Sequence, residues 1–322
     1  MTIRPLLSIC IPTYNRENLL RENLALLLSC EEFDDEVELV ISDNCSTDST
    51  KNVVKSFIEK YPNKRIIYNR NEENIRDKNF LKTLSFGTGD YLKLLNDYTC
   101  LSNEDIAIMK RLVAENAGTR PLLLFYKELR CKAKLYENIK LHSIDSFVRL
   151  VNNKMTWISN FGCWRERLND LYQFEIHSDL QLLQVFWTLY LLEQSLSAIV
   201  VNMNYSTLDV HDKNRTSYNF FKVHVDNYYK ILNHYCNRGL VTRKTIRYDK
   251  YRILSDFVGS SIVHYLVLRK ESSFVVRDSW QIIIRNFKTI PFFYILPFYE
   301  FCIRVYKKMV RICLVLLCLK GA

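Results

Sequence analysis

Short apolar runs separated by longer amphipathic stretches fill the first 130 residues of the chain. Leu6 to Ile11, Val37 to Ser42, Arg65 to Tyr68, Tyr91 to Leu95 and Leu122 to Tyr126 have the length and composition of buried strands. Between them Leu19, Leu20, Leu24, Leu27 and Leu28 form a stripe at helical spacing, as do Val53, Val54, Phe57, Ile58 and Tyr61. Ser102 stands where it can cap a third helix carrying Ile106, Met109, Leu112 and Val113. This β-α-β-α-β alternation predicts an α/β domain with a mostly parallel, doubly wound sheet flanked by helices.

Beyond Asp145 the pattern loosens. It predicts a short helix to about Asn152, a polar stretch through Asn160 and Gly162, an apolar helix from Ser178 to Glu193, and a strand from Ala198 to Val201. After Arg215 the chain reads as helical and Tyr-rich, without internal repeats. From Arg285 to Lys320 it turns basic and aromatic: Arg285, Lys288, Arg304, Lys307, Lys308, Arg311 and Lys320 face only Glu300 among acids. The expected division is an α/β domain over 1–215, with halves of about 1–117 and 118–215, a helical extension over 216–284, and a basic amphipathic tail over 285–322.

Composition narrows the class. In 322 residues, 48% hydrophobic and 25% charged, with 7 glycines and 6 prolines, there is material for a sizeable core and none of the bias of disordered or collagen-like chains. The excess of 45 Lys+Arg over 35 Asp+Glu, a charge of +10, suits nucleic acid, an anionic membrane surface or phosphate-bearing ligands. Ten cysteines are scattered without C-x-x-C pairs, and the first residues lack the apolar core of a signal peptide. Both features predict a cytosolic chain with mostly buried thiols. The apolar run Ile312 to Leu319 is too short to span a bilayer.

Open α/β sheets bind ligands beyond the carboxyl ends of their strands, and there the sequence is unusually polar. Pro12-Thr13-Tyr14-Asn15-Arg16 follows the first strand, Asp43-Asn44-Cys45-Ser46-Thr47-Asp48-Ser49 the second, and Asn96-Asp97-Tyr98-Thr99 the fourth. Tyr14 offers a face for stacking on a base. Ionised Asp43 is acceptor-only and suits an imide N–H or a ribose hydroxyl. On the residues alone, Asp43, Asn44 and Ser46 could equally cap the following helix. There is no G-x-x-x-x-G-K-[ST], and Gly87-Thr88-Gly89 is followed by Leu92 where a dinucleotide fingerprint needs glycine, which counts against kinase-like and NAD-dependent chemistry. The six histidines are dispersed, which argues against zinc. No nucleic-acid motif accompanies the basic charge.

Taken together, Leu7 to Arg16, Glu38 to Asp48, and Gly89-Asp90-Tyr91 leading to Asn96-Asp97 resemble the family 2 glycosyltransferases of GT-A fold. The resemblance is clear from about Leu6 to Leu112 and is strongest to bacterial transferases that build O-antigen, the polysaccharide of lipopolysaccharide, or capsule. It implies inverting transfer from a nucleotide-diphosphate sugar to a polyprenyl-diphosphate-linked oligosaccharide. It further implies that Pro12, Thr13, Tyr14, Asn15 and Asp43 hold the nucleoside and that Asp97 helps place the diphosphate. Relatives carry an Asp-x-Asp signature that binds Mn²⁺ or Mg²⁺. Here only Asp97 remains of it, beside Tyr98 and Thr99, so a metal would rest on one carboxylate or give way to cations such as Arg70 or Lys78. The same erosion leaves a second reading, a catalytically inactive relative that binds nucleotide or serves assembly.

By the same resemblance the general base corresponds to Asp179 in His177-Ser178-Asp179-Leu180, with Glu175 the fallback and His177 orienting the acceptor. The alternative for Asp179 is an acid favoured by a helix N-terminus. Trp157, Ser159, Asn160 and Trp164 fall in the acceptor segment and could equally be packing. The aromatic, basic tail suits an in-plane contact with an anionic membrane, which would place the protein peripherally on the cytoplasmic face of the inner membrane. The alternative is a helix packed on the domain.

Overall fold

The computed structural model describes residues 4–127, 134–209, 218–269, 274–276, 278–296, 298 and 299. The chain divides into two compact units, Met1–Asp212 and Lys213–Ala322.

Five strands form the main sheet of the first unit: β1 (Leu7–Thr13), β2 (Val37–Asp43), β3 (Arg65–Arg70), β4 (Tyr91–Leu94) and, paired antiparallel to β4, the strand Gly162–Trp164. Their order is β3-β2-β1-β4 and then Gly162–Trp164, with the first four parallel. In β1 and β2 nearly every residue is buried, as expected where helices cover both faces of a parallel sheet. The helices are α1 (Glu17–Leu28), α2 (Thr50–Lys60), α3 (Lys78–Ser85) and α4 (Asn103–Asn116). Leu20, Leu24 and Leu27 of α1, Val53, Val54 and Phe57 of α2, and Ile106, Met109 and Val113 of α4 pack with the strands into one core. The cap expected at Ser102 is a capping box, in which Ser102 accepts from the Asp105 N–H and Asp105 returns the bond.

Three findings depart from the sequence expectations. The strand Leu122–Lys127 does not extend the main sheet. It pairs with Ala198–Met203 and, through it, with Asn138–Leu141 in a separate three-stranded sheet. Tyr91 joins the two sheets: its hydroxyl donates to the Leu123 carbonyl at 2.7 Å, and its ring meets Phe125 and Trp164 edge-on. The ring crosses Gly162, where an added Cβ would fall 2.5 Å from it. Next, the stretch between β3 and β4, where the pattern predicts no helix, forms α3, which buries Leu81 and Leu84 and bonds Asn79 to Ser42. Finally, the apolar helix expected from Ser178 starts at Leu183 and runs to Ser195. A 3₁₀ stretch, Arg165–Leu180, precedes it, and Gln181 in the left-handed region (φ 55°) separates the two. Leu183 to Leu189 are all buried, Gln184 and Thr188 among them, so this helix is covered on every side and starts at Leu183 without an acidic first turn. Asp179 therefore does not open it.

Gly87-Thr88-Gly89 has a structural purpose at the amino ends of the strands. Buried Glu38 gathers Ser8 Oγ (2.6 Å), Thr88 Oγ1 (2.7 Å) and the Thr88 and Gly89 N–H groups. The backbone at Gly89 passes so close to Ser8 that a Cβ would sit 2.7 Å from its Oγ.

The second unit is helical, with Tyr228–Asn237, Arg243–Ile253 and Ser279–Phe287 as its regular helices among the described residues. The tail beyond Tyr299 lies outside the described residues. Among those described, no helix is long and apolar enough to cross a membrane.

Candidate active site

The parallel register brings the polar ends of β1, β2 and β4 to one edge of the sheet. Thr13 pairs with Asp43 and Asp43 with Arg70, while β4 pairs with Leu7 to Cys10 and leaves β1 at Leu95, whose N–H donates to the Cys10 carbonyl. The following turn returns Asp97 beside Thr13. Thr13 Oγ1 donates to Asp97 Oδ2 at 2.9 Å, with both residues buried.

The loops after β1 and β2 are bonded to each other. The Asn15 N–H donates to Ser46 Oγ at 2.8 Å, and the Thr47 N–H donates to Asn15 Oδ1 at 2.7 Å. Asn15 (φ 51°) and Cys45 (φ 66°) both lie in the left-handed region, a conformation Asn tolerates and Cys rarely takes. Tyr14 is exposed at the rim and Pro12 half-buried beneath it.

Asp43 is fully buried. Its Oδ1 accepts from the Ser46 N–H at 2.8 Å, and its Oδ2 accepts from the Tyr68 hydroxyl at 2.8 Å with the Arg70 guanidinium 3.7 Å away. Burial and the adjacent carboxylate push the Tyr68 phenol up, so it stays a donor. Arg70 also donates to the Ser46 carbonyl at 2.9 Å, so its charge serves the loop. Lys78 is exposed at the first position of α3.

A second polar layer lies below, which sequence reasoning did not anticipate. Asn71 donates to Asn44 (3.1 Å) and Asn79 (2.8 Å), Ser42 donates to Asn79 (2.7 Å), and the Ile75 N–H donates to Asn44 Oδ1 (2.9 Å). The signal was the asparagine-rich stretch from Asn69 to Asn79. Asp77, just before α3, is pushed up to about 6 by burial, against the opposing effect of Arg76.

The expected acceptor residues divide into groups. Ser159 is fully buried and braces the loop after β4, accepting from the Asn96 N–H at 2.8 Å and bonding Thr99 Oγ1 at 2.9 Å. Asn160, also buried, donates to the Lys154 carbonyl at 2.8 Å. Trp157 is half-buried against Tyr205. Trp164 is core, its indole N–H donating to the Pro121 carbonyl. His177 stacks on Phe186 at 4.6 Å, and Asp179 is exposed at the end of the 3₁₀ stretch, without a hydrogen bond or ion pair among the described residues. Thus the structure brings Thr13, Asn15, Asp43, Asp97 and Ser159 into one bonded cluster, to which neither His177 nor Asp179 is bonded.

Lys93, also missed, links the two sides. Fully buried, it donates to the carbonyls of Leu94 (2.9 Å), Phe161 (3.2 Å) and Ser159. Burial holds its ammonium well below the ordinary lysine value. Its signal was a lysine inside the apolar run Tyr91 to Leu95.

Of the cluster's two carboxylates, Asp43 has both oxygens engaged by Ser46 and Tyr68, which leaves Asp97 for a divalent cation, and the described residues contain no group of three or more His, Cys, Asp or Glu side chains that could hold a metal. Such a donor set fits Mg²⁺ or Mn²⁺ only if phosphate and water oxygens complete the shell. A separate cleft of about 610 Å³ lies at the amino ends of the strands, lined by Arg4, Gly87, Asp90, Arg120 and Arg165 among others, away from these residues.

Comparison with known proteins bears on the segment that carries these loops and on the fold. Residues 8–119 match the family described as Glycosyl transferase family 2. Over 113 residues the chain is 38% identical to Abequosyltransferase RfbV of Salmonella typhimurium, covering 35% of this chain and 34% of that protein. Over 53 residues it is 47% identical to a validoxylamine A glucosyltransferase of Streptomyces hygroscopicus subsp. limoneus, covering 16% and 12%. The chain thus matches about a third or less of the length of these curated relatives. In fold it is similar to S. aureus TarS 1-349 in complex with UDP-GlcNAc, with a TM-score of 0.56 at 16% identity over 87% of this chain and 81% of that one. Residues 8–119 are a glycosyl transferase family 2 segment, and the chain that carries them has the GT-A fold.

Proposed function

We propose that the chain is an inverting glycosyltransferase that moves one sugar from a nucleotide-diphosphate donor to a lipid-linked oligosaccharide during synthesis of a bacterial surface polysaccharide, O-antigen or capsule. The observation that carries this is the gathering of Thr13, Asn15, Asp43 and Asp97 at the carboxyl ends of β1, β2 and β4. The partial likeness to an abequosyltransferase supports a sugar donor.

In this account Tyr14 stacks on the base, with Pro12, Thr13 and Asn15 shaping its pocket. Asp43 acts from beneath, fixing the Ser46 loop and the Tyr68 hydroxyl. Asp97 faces the diphosphate. Mn²⁺ or Mg²⁺, when bound there, would neutralise charge on the leaving group. The acceptor hydroxyl oxygen bonds to the anomeric carbon as the bond from that carbon to the diphosphate oxygen breaks. The diphosphate leaves with the electron pair and Asp179 takes the hydroxyl proton. The exposed carboxylate of Asp179, unpaired among the described residues, supports that role. Trp157 and His177 line the acceptor side, Ser159 and Asn160 hold it in shape, and the protein works peripherally at the cytoplasmic face of the inner membrane.

The lone carboxylate beside Tyr98 and Thr99 favours one rival, a nucleotide-binding relative without turnover. Incubation with nucleotide-diphosphate sugars, following release of nucleoside diphosphate with and without lipid-linked acceptor, separates the two. Release above background supports the transferase, and tight nucleotide binding with no release supports the rival.

A further inference from the structure

In the second unit, helix Arg243–Ile253 has two unlike faces. Thr245, Ile246, Asp249 and Ile253 are buried, whereas Lys244, Arg247, Tyr248 and Tyr251 recur at helical spacing on the exposed side. Those four, with Ile290, Pro291 and Phe292, line one groove of about 400 Å³. Its walls are aromatic and aliphatic: Tyr251 packs edge-on against Phe292 at 5.3 Å, and Phe292 against Tyr299 at 5.1 Å. Nearby in sequence Tyr294, Ile295 and Phe298 are 68%, 57% and 71% exposed. Lys244 and Arg247 make no ion pair among the described residues.

We propose that this groove is a docking site for an anionic phospholipid membrane, with Lys244 and Arg247 at headgroup phosphates and Tyr248, Tyr251, Pro291 and Phe292 at the acyl boundary. Amphipathic tyrosines and flanking cations are the side chains that settle at that boundary. Charge complementarity selects the occupant. The chain's own segment after Glu300 carries Arg304, Lys307, Lys308, Arg311 and Lys320 without an acid, and would be repelled by Lys244 and Arg247. An anionic leaflet is attracted. The inference deepens the membrane-facing part of the proposed function, and it assigns helix Arg243–Ile253 together with Pro291 and Phe292 near the start of the tail, rather than the basic residues beyond Glu300.

The test is flotation of the full-length protein with vesicles of phosphatidylcholine alone and of phosphatidylcholine mixed with phosphatidylglycerol. The protein should float with the anionic vesicles only, and less as salt rises. With each basic residue near an anionic surface contributing about 1 kcal/mol, the double variant Lys244→Gln, Arg247→Gln should bind about thirtyfold more weakly. Tyr251→Ser should weaken binding without changing its salt dependence. Lys307→Gln with Lys308→Gln, in the tail, should change it less than the first pair. Unchanged thermal melting of the variants would show that they fold. Wild-type affinity in the Lys244, Arg247 pair, binding to polyglutamate in preference to anionic vesicles, or no flotation of the wild type would overturn the proposal. Nucleotide-sugar turnover in lipid-free solution reads the transferase account separately, so failure of one is distinguishable from failure of the other.

Discussion

The hydroxyl of Thr13, the last residue of β1, donates to the carboxylate of Asp97, in the loop after β4, across 2.9 Å in a buried setting. The bond joins the strand end expected to carry the nucleoside to the carboxylate expected to carry the diphosphate. Hydrogen bonds to charged groups contribute about 1.5 to 3 kcal/mol. Thr13→Val, which keeps the shape and removes the donor, should cost about that much stability and weaken nucleotide binding, as read by chemical denaturation and titration of the same samples.

Asp43 and Tyr68 give a way to divide loop support from ligand contact. Tyr68→Phe removes one donor to the Asp43 carboxylate and leaves the Ser46 bond intact, so it should cost about 1.5 to 3 kcal/mol and lower nucleotide affinity modestly. Asp43→Ala removes the partner of Ser46, Tyr68 and Arg70 at once and should abolish nucleotide binding in protein that still folds. Wild-type affinity in Asp43→Ala would show that this carboxylate has no part in the donor site.

Removal of the proposed base should separate binding from chemistry. Asp179→Asn should reduce sugar transfer by about 10² to 10⁴-fold while nucleotide affinity stays within a factor of about two, since general bases contribute in that range. Transfer at the wild-type rate would move the role to another carboxylate, Glu175 first.

Much of this was legible in the sequence, for an identifiable reason. Strands β1, β2 and β4 are buried on both faces, so they read as mostly apolar runs broken by single polar residues, and the longer polar segments that follow them stand out. Thr13, Asn15, Asp43 and Asp97 were found that way. The polar layer of Asn71 and Asn79 was not, because buried asparagines have the same letters as solvated ones. Ser159 shows the converse: its residue type suits sugar binding, yet its hydroxyl is spent on Asn96 and Thr99. The start of the helix at Leu183 was missed because its break is Gln181, a residue with no sequence signature for φ 55°. Leu122 to Tyr126 has the composition of a strand, but composition does not say which sheet it joins.

The second unit should show its own pH dependence. Asp249, on the buried face of helix Arg243–Ile253, accepts from the Tyr228 and Tyr229 hydroxyls at 3.2 and 3.0 Å and is pushed up to about 7 by burial. An unfolded aspartate titrates near 3.9, so between about pH 4 and about 7 the folded state binds the extra proton. This contribution to stability is full below pH 4 and is lost as pH rises through about 7. Asp249→Asn should flatten that slope in denaturation curves taken from pH 5 to 8, and an unchanged slope would assign it to other groups.

The most direct test of the central claim is calorimetric titration of the protein with UDP, GDP, dTDP and CMP, each with and without Mn²⁺, beside Asp97→Ala. The account predicts binding of one nucleotide class, strengthened by Mn²⁺, with the metal effect lost in Asp97→Ala. Absence of binding by every nucleotide under both conditions would contradict a donor site at the ends of β1, β2 and β4.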